Sequence, residues 1–278
     1  MSYDYDEVPK LRARDVFQRI FQVFRERLFL ILALTLAGEV FIVIGTALES
    51  QFINLLGQLI GLAIHGAVAL VIFKLYHEEE LTFGEAITMS FSKLPSLVLS
   101  SVIMFLILMV LVVVISMVVV AVIFTKNSVA IAVVMLACLA LVAYIFTIIG
   151  MAVPACVVER LGAMDSLRRS AQLTKGCRLS MLLIYFCCLL VALILFVVAS
   201  SLFIEFFTDF KGLGIKGAEL MFERGENLDL GGTSFIIFTA LSYLFFQLCT
   251  NIINGSIYLE LLIVKRDRDL DEMSSVFE

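Results

Sequence analysis

The chain has 278 residues, of which 62% are hydrophobic and 16% are charged, and its net charge is −5. Soluble domains average about 45–50% apolar and about 25% charged residues, so this composition excludes a soluble protein and indicates a polytopic all-α membrane protein. A negative net charge gives no reason to expect a nucleic-acid partner.

Six runs of the sequence are apolar and long enough to cross a hydrocarbon core of about 30 Å. They predict spanning helices over 28–48, 52–76, 97–124, 129–158, 179–204 and 234–264. We expect residues 1–14 to form a disordered tail, 205–233 to form a loop on the outer side of the membrane, and 265–278 to form a second tail. The region 15–264 is then a single membrane domain.

Three amphipathic segments precede these pairs of spans. The first is DVFQRIFQVFRER at 15–27, and the second is TFGEAITMSFSK at 82–93, where Thr82 and Glu85 have the spacing of a capping box. For the second helix we expect an apolar face formed by Phe83, Ile87, Phe91 and Leu94. Each segment predicts a separate helix on the membrane surface.

The third amphipathic segment, GAMDSLRRSAQLTKGCR at 162–178, is the most basic of the three. Helical spacing places its apolar residues on one face and its charged residues on the other, and Gly176 is expected to end the helix in the left-handed conformation. The predicted apolar face consists of Ala163, Met164, Leu167, Ala171 and Thr174. The basic residues predicted to contact anionic lipid headgroups are Arg168, Arg169, Lys175 and Arg178. A docking surface for a cytoplasmic partner is the alternative.

The chain therefore repeats one plan, a surface helix followed by two spans, over 15–76, 82–158 and 162–264. Chance placement of amphipathic connectors is the alternative explanation. Of the 20 Lys and Arg residues, 16 fall on one side of the predicted membrane. The positive-inside rule makes that side cytoplasmic, together with both termini. We expect the cytoplasmic (inner) membrane of a prokaryote.

Polar residues within the predicted spans are candidates for function. Glu39 lies midway along the first span, where a charged group costs about 2.5–3.5 kcal/mol and needs a partner or a proton. Polar stripes run along the second and sixth spans, and Glu39 and His65 are expected at similar depth, where they could share a hydrogen bond. The candidates are Glu39, Asn54, Gln58, His65, Gln247, Asn251 and Asn254. A polar cavity or proton path and simple interhelical bonding both remain open.

No catalytic or metal-binding motif accompanies these residues. The six cysteines include no CxxC and form no Cys/His cluster, so we expect free thiols and no metal. The sequence contains no GxSxG, no HExxH and no phosphate-binding Gly-rich loop. We therefore expect no catalytic residue, no cofactor and no enzymatic activity.

The segment SLRRSAQLTKG at 166–176, after the lead-in VVERLG, resembles the membrane domain fused to some bacterial glycerophosphodiester phosphodiesterases. It also resembles that domain's stand-alone relatives, which are mostly of unknown function. The resemblance implies a membrane fold and not the enzymatic activity, since these residues include no phosphodiesterase catalytic domain.

Three functions follow as hypotheses. The first is a membrane scaffold or accessory component in envelope or lipid-related processes, which works with a second copy or with another membrane protein. A small-solute transporter or channel that uses an intramembrane polar cavity is the alternative. A membrane-embedded lipid enzyme is a third hypothesis.

Overall fold

The computed structural model describes residues 11–123, 127–209 and 233–274, and in these ranges the chain forms nine α-helices and no strand. The helices are α1 (Ala13–Ala47), α2 (Gln51–Tyr76), α3 (Phe83–Phe91), α4 (Leu94–Ile123), α5 (Ser128–Ile149), α6 (Ala152–Val158), α7 (Ala163–Leu173), α8 (Arg178–Asp209) and α9 (Thr233–Ser274). Six helical stretches are long and apolar enough to span a membrane. The all-α, six-span class is therefore confirmed.

The first amphipathic segment is not a separate surface helix, and that prediction is wrong. It forms the start of α1, a continuous helix of 35 residues. No Pro or Gly interrupts α1 before Gly38, and Val16, Val23 and Ile31 are all fully buried along the helix. Leu11 is also buried, so the end of the expected tail packs against the protein. At 1.5 Å per residue α1 is about 52 Å long and extends beyond a hydrocarbon core of about 30 Å.

The fourth predicted span is divided in two. α5 ends at Ile149 and α6 begins at Ala152. Pro154 has no N–H to donate to the carbonyl of Gly150, and its ring clashes with the turn before it, so the hydrogen-bond ladder breaks there. The short α6 that follows is buried from Ala152 to Val157.

Helix α2 lies at the centre and contacts α1, α3, α6 and α9. Its register against α1 follows from three close approaches, Gly38 to Gly61, Gly57 to Ile42, and Gly45 to Asn54. The two residue numbers of each pair total 99, so the number rises along one helix as it falls along the other, and the helices are antiparallel. Gly255 of α9 lies against Ala69 and Ile72 of α2. Glycine allows such close packing of helices in a membrane.

The residues that the two short amphipathic helices bury most fully are mainly small ones. In α3 the buried residues are Ala86 and Ser90, and Phe83 is 39% exposed. In α7 they are Ala163, Ser166, Ser170 and Leu173, and Met164 is 56% exposed. The predicted apolar faces are therefore confirmed only in part: Ala163 and Thr174 are buried and Ile87 packs against the core, whereas Phe83 and Met164 are exposed. Small residues let these helices approach the spans closely, and Leu173 adds a large apolar contact.

The spanning helices differ greatly in how much of them is covered. In the most apolar part of each span, 56% of the residues are buried for α2 and likewise for α9. The buried share is 22% for α8 and 6% for the span formed by α5 and α6, and no residue is buried in this part of α4. The core therefore consists of α2 and α9 with α1, against which α3, α6 and α7 pack. The central part of α4 contacts little of its own chain.

Two boundary predictions fall partly outside the described residues. α8 continues to Asp209 and α9 begins at Thr233, so part of the predicted 205–233 loop is helical and residues 210–232 lie outside the described ranges. α9 also continues to Ser274, so the segment expected as a tail from 265 is helical to that residue.

Candidate functional site

A hydrogen-bonded group of four side chains, which we call the polar junction, joins α2, α8 and α9. It consists of His65, Tyr185, Asn251 and Asn254. Nδ1–H of His65 donates to Oδ1 of Asn251 at 2.6 Å, since an amide oxygen only accepts. Nε2 of His65 then accepts from Nδ2 of Asn254 at 3.4 Å. The hydroxyl of Tyr185 donates to Oδ1 of Asn254.

This bonding pattern is self-consistent for a neutral histidine. Each ring nitrogen has one partner, and both Asn254 polar atoms are used. Nδ2 of Asn251 is buried and has no hydrogen-bond partner in the described residues. Interhelical bonds of this kind contribute about 0.6 kcal/mol each on average. The polar junction therefore fixes the register of three helices without a large gain in stability.

Glu39 does not belong to the polar junction, and the predicted hydrogen bond between Glu39 and His65 is wrong. The α1–α2 register places Leu34 beside His65 and Ile60 beside Glu39. Glu39 is thus five residues, or about 7.5 Å, from the level of His65 along the helix axis. It is 5% exposed, its Oε2 has no hydrogen-bond partner in the described residues, and it lies within electrostatic range of Tyr243 of α9.

The other predicted intramembrane residues also lie apart from the polar junction. Oδ1 of Asn54 accepts a hydrogen bond from Oγ1 of Thr46 at 3.4 Å, near the α1–α2 turn. Gln58 is exposed and Gln247 is half-buried. The structure therefore brings together three of the seven predicted residues, and it adds Tyr185, which the sequence analysis missed.

Two further carboxylates at the other end of the bundle, the buried Glu260 and the half-buried Glu159, were not predicted from the sequence. Oε1 of Glu260, which is 6% exposed, accepts from Nε of Arg19 at 3.1 Å, and the Arg19 guanidinium lies over the ring of Tyr76. Glu159 accepts from the buried Tyr258 hydroxyl at 2.7 Å. The available signal for Glu260 was its position inside the apolar run YLELL, because a carboxylate there is costly unless it is paired.

The four basic residues expected at lipid headgroups divide into two pairs. Nε of Arg169 donates to both carboxylate oxygens of Glu159, at 2.8 and 3.0 Å. Arg178 donates from a guanidinium NH₂ group to the Tyr144 hydroxyl at 2.6 Å and lies over its ring. Arg168 and Lys175 are exposed. Two of the four are therefore already bound to the protein.

Serine side chains hold the short helices against the spans. Oγ of Ser170 donates to the carbonyl of Ile148 at 2.6 Å. That carbonyl is one of the last four of α5, which have no donor within their own helix, so Ser170 supplies a missing partner. Oγ of Ser90 donates to the carbonyl of Ala63 in α2. α3 and α7 are thus each attached to a span through a serine hydroxyl.

A cavity of about 350 Å³ lies where α2, α3 and α6 end. Leu70, Phe73, Met89 and Val157 contribute apolar wall, and Lys74 and Arg160 contribute positive charge. All six cysteines are free, and the described residues include no group of three or more His, Cys, Asp or Glu side chains that could hold a metal ion.

The fold defines the class as a multi-pass α-helical membrane protein. Comparison with family models, with curated protein sequences and with solved structures found no match for this chain.

Proposed function

We propose that this chain is a non-enzymatic membrane scaffold or accessory component, which acts in envelope or lipid-related processes in the inner membrane of a prokaryote. Its partner is a second copy of the chain or another membrane protein, and anionic lipids surround it. The observation that carries this proposal is the division of the spans into a packed core and an uncovered α4–α5 pair.

The polar junction supports the scaffold function. His65, Asn251 and Asn254 bond directly to each other, which is how polar side chains join helices in a bilayer. A transport path would instead need such groups to face a hydrated space. The cavity of about 350 Å³ has a different lining, so it does not place these residues on a path.

The uncovered spans supply the surface for a partner. Phe105 and Met117 of α4 and Leu136 of α5 are 65%, 69% and 70% exposed. Since lipid tails are as apolar as these side chains, burial alone does not drive helices together in a membrane, and close packing decides which faces associate. A hairpin with so few contacts to its own chain can pack against another protein without unfolding the core.

For the topology, we propose cytoplasmic termini and cytoplasmic amphipathic segments, on the basis of the Lys and Arg distribution. We also propose that 15–76, 82–158 and 162–264 are repeated units. Two features of the second and third units support the repeat. Glu78 and Arg160, each two residues after the preceding helix, have φ of 56° and 55°. The eighth residue of the following short helix is then a buried serine bonded to an earlier span, Ser90 or Ser170. The first unit departs from this plan because its amphipathic part is continuous with α1.

The relationship to the phosphodiesterase-associated membrane domain also stays a proposal, supported by SLRRSAQLTKG at 166–176. It agrees with a helical membrane protein of lipid-related function and implies no catalytic activity for this chain.

A transporter or channel for a small solute is the second candidate, and Glu39 favours it. A buried carboxylate with an unpartnered oxygen is expensive inside a membrane and commonly marks an ion or proton path. Under this alternative Glu39→Gln abolishes transport by the reconstituted protein and leaves its folding intact. Under the scaffold function the same variant assembles normally.

The mass of the particle extracted in mild detergent tests the scaffold function. We expect a complex heavier than the 30.9 kDa chain. Val113→Gln, at a 50% exposed position of α4, is expected to reduce that mass, whereas Val191→Gln, at a 49% exposed position of α8, leaves it unchanged. A solitary monomer under all conditions would contradict the proposal.

A further inference from the structure

We propose that the cavity at the ends of α2, α3 and α6 binds an anionic phospholipid, with its phosphate at Lys74 and Arg160 and the upper part of one acyl chain against the apolar wall. This inference rests on the cavity and its charges, and it holds whether the chain is a scaffold or a transporter. The proposed lipid site does not include the basic residues of α7.

The shape and lining of the cavity match an amphiphile. Its volume of about 350 Å³ lies within the range of about 300–1,000 Å³ that is usual for small-molecule sites. The wall is formed mainly by the apolar side chains of Leu70, Phe73, Met89, Val157 and Val158, and the one hydroxyl in the lining, that of Ser92, already donates to the Met89 carbonyl. A soluble anion would leave this wall in contact with water, whereas an acyl chain covers it.

The location is that of a lipid headgroup. Lys74 lies two residues before the end of α2, and Arg160 lies two residues after the end of α6. Both helices belong to membrane spans, so the two cations lie at the level where the hydrocarbon core meets the headgroups. Basic side chains at this level each contribute about 1 kcal/mol to the binding of anionic lipid.

Arg160 is positioned to bind an external anion. Its side chain is exposed, and in the described residues its guanidinium has no hydrogen bond or ion pair. The peptide backbone is held by Nζ of Lys93, which donates to the Arg160 carbonyl at 2.8 Å and adds a third positive charge nearby. Lys74 is paired with the exposed Glu79, which competes with an incoming phosphate.

The backbone of Arg160 offers a way to separate binding from folding. Its φ of 55° lies in the left-handed region, which glycine adopts at lower cost than arginine. Arg160→Gly therefore removes the charge and relaxes the backbone. We expect it to weaken lipid binding while the melting temperature of the protein stays the same or rises.

The absence of tryptophan from the sequence permits a direct test by fluorescence quenching. A single tryptophan is introduced as Phe73→Trp in the cavity, or as Met89→Trp if the first variant folds poorly. The full-length protein is reconstituted with phosphatidylglycerol or phosphatidylcholine that carries brominated acyl chains. Phe29→Trp, at an 86% exposed position of α1, serves as the control for general lipid contact.

We expect the cavity tryptophan to be quenched at a lower fraction of brominated phosphatidylglycerol than of phosphatidylcholine, and the control tryptophan to show no preference. Arg160→Gly and Lys74→Gln should each reduce the preference about fivefold, the equivalent of about 1 kcal/mol. Glu79→Gln should strengthen it. Arg25→Gln, which removes a cation with 72% side-chain exposure on α1, should leave it unchanged.

Equal quenching by the two lipids at the cavity, or no quenching there, would overturn the proposal. Displacement of brominated phosphatidylglycerol by soluble glycerol phosphate would also overturn it, because the site would then bind a free phosphate ester. None of these outcomes bears on the α4–α5 surface, so failure here is distinguishable from failure of the scaffold function.

Discussion

Gly66 of α2 lies against side chains of both α3 and α6, and replacing it tests the packing of the core. A Cβ atom at this position would lie less than 3.0 Å from Cγ2 of Val157 and 3.0 Å from Oγ of Ser90. The first approach is closer than real Cβ atoms show, so Gly66→Ala requires the β-branched Val157 side chain, α2 or α6 to shift. The helix α6 is buried over Ala152–Val157 and has little room to do so.

The expected cost follows from two opposing terms. Overpacking a tight core costs about 1–3 kcal/mol. Alanine is favoured over glycine within a helix by about 0.5–1 kcal/mol. Gly66→Ala is therefore expected to lower the free energy of unfolding by about 1–2 kcal/mol. Gly61→Ala is the matched control on the same helix, because no heavy atom lies within 4 Å of the added Cβ, and it should be neutral or slightly stabilising.

Reversible unfolding in mixed micelles, followed by helical circular dichroism, measures both effects. Shortening the neighbour should relieve the strain, so Val157→Ala combined with Gly66→Ala should show a favourable coupling energy of about 0.5–3 kcal/mol. The packing described here is refuted if Gly66→Ala is as stable as Gly61→Ala, or if the double variant shows no coupling.

Three further predictions concern the attached helices and the buried polar groups. Ser170→Ala should destabilise the protein by about 1–3 kcal/mol in the same unfolding assay, and more than Ser90→Ala, because only Ser170 bonds a carbonyl at a helix end. The bond from the Thr82 backbone holds the pKa of Glu85 below its ordinary value of 4.5, so the stabilisation of α3 is present above pH 4.5 and is lost as the pH falls through the lowered pKa. The protection of the α3 amides from hydrogen exchange, relative to the intrinsic rate at each pH, should fall in that acidic range in the native protein, while Glu85→Gln should lack the acid-dependent change. His65→Ala should lower membrane abundance and Glu39→Gln should not; a normally abundant His65→Ala protein would contradict the structural role of the polar junction.

The number and class of the spans were predictable because long apolar runs have one stable state in a bilayer, the hydrogen-bonded helix. The ends of the helices were less predictable. Pro154 divides the fourth span, although the apolar composition on both sides of it is continuous. In α1 the change from amphipathic to apolar sequence produced no break, because no Pro or Gly interrupts the helical hydrogen-bond ladder there.

The faces of α3 and α7 could be predicted only in part from apolar spacing. In a soluble protein the large apolar face packs on the core, but in a membrane such residues are equally stable against lipid. Ser90 and Ser170 were buried instead because small hydroxyl residues allow close approach and bond to carbonyls. This environment also explains why Met164 is exposed.

The polar junction was predictable in part. The spacing along α2 and α9 correctly indicated that His65, Asn251 and Asn254 lie on inward faces. The error over Glu39 came from counting residues from the predicted helix ends. The register is set instead by close approaches at Gly38, Gly45 and Gly57, and these depend on shape complementarity between two helices.

The central claim is that the α4–α5 pair is the surface at which this protein meets another membrane protein. Photocrosslinking in intact membranes tests it, with benzoylphenylalanine in place of Phe105 of α4, Leu136 of α5 or, as the control, Phe29 of α1, which is 86% exposed. We expect a discrete protein adduct from the first two positions and only lipid adducts from the third. Lipid adducts alone from all three positions, or the same protein adduct from all three, would contradict the claim.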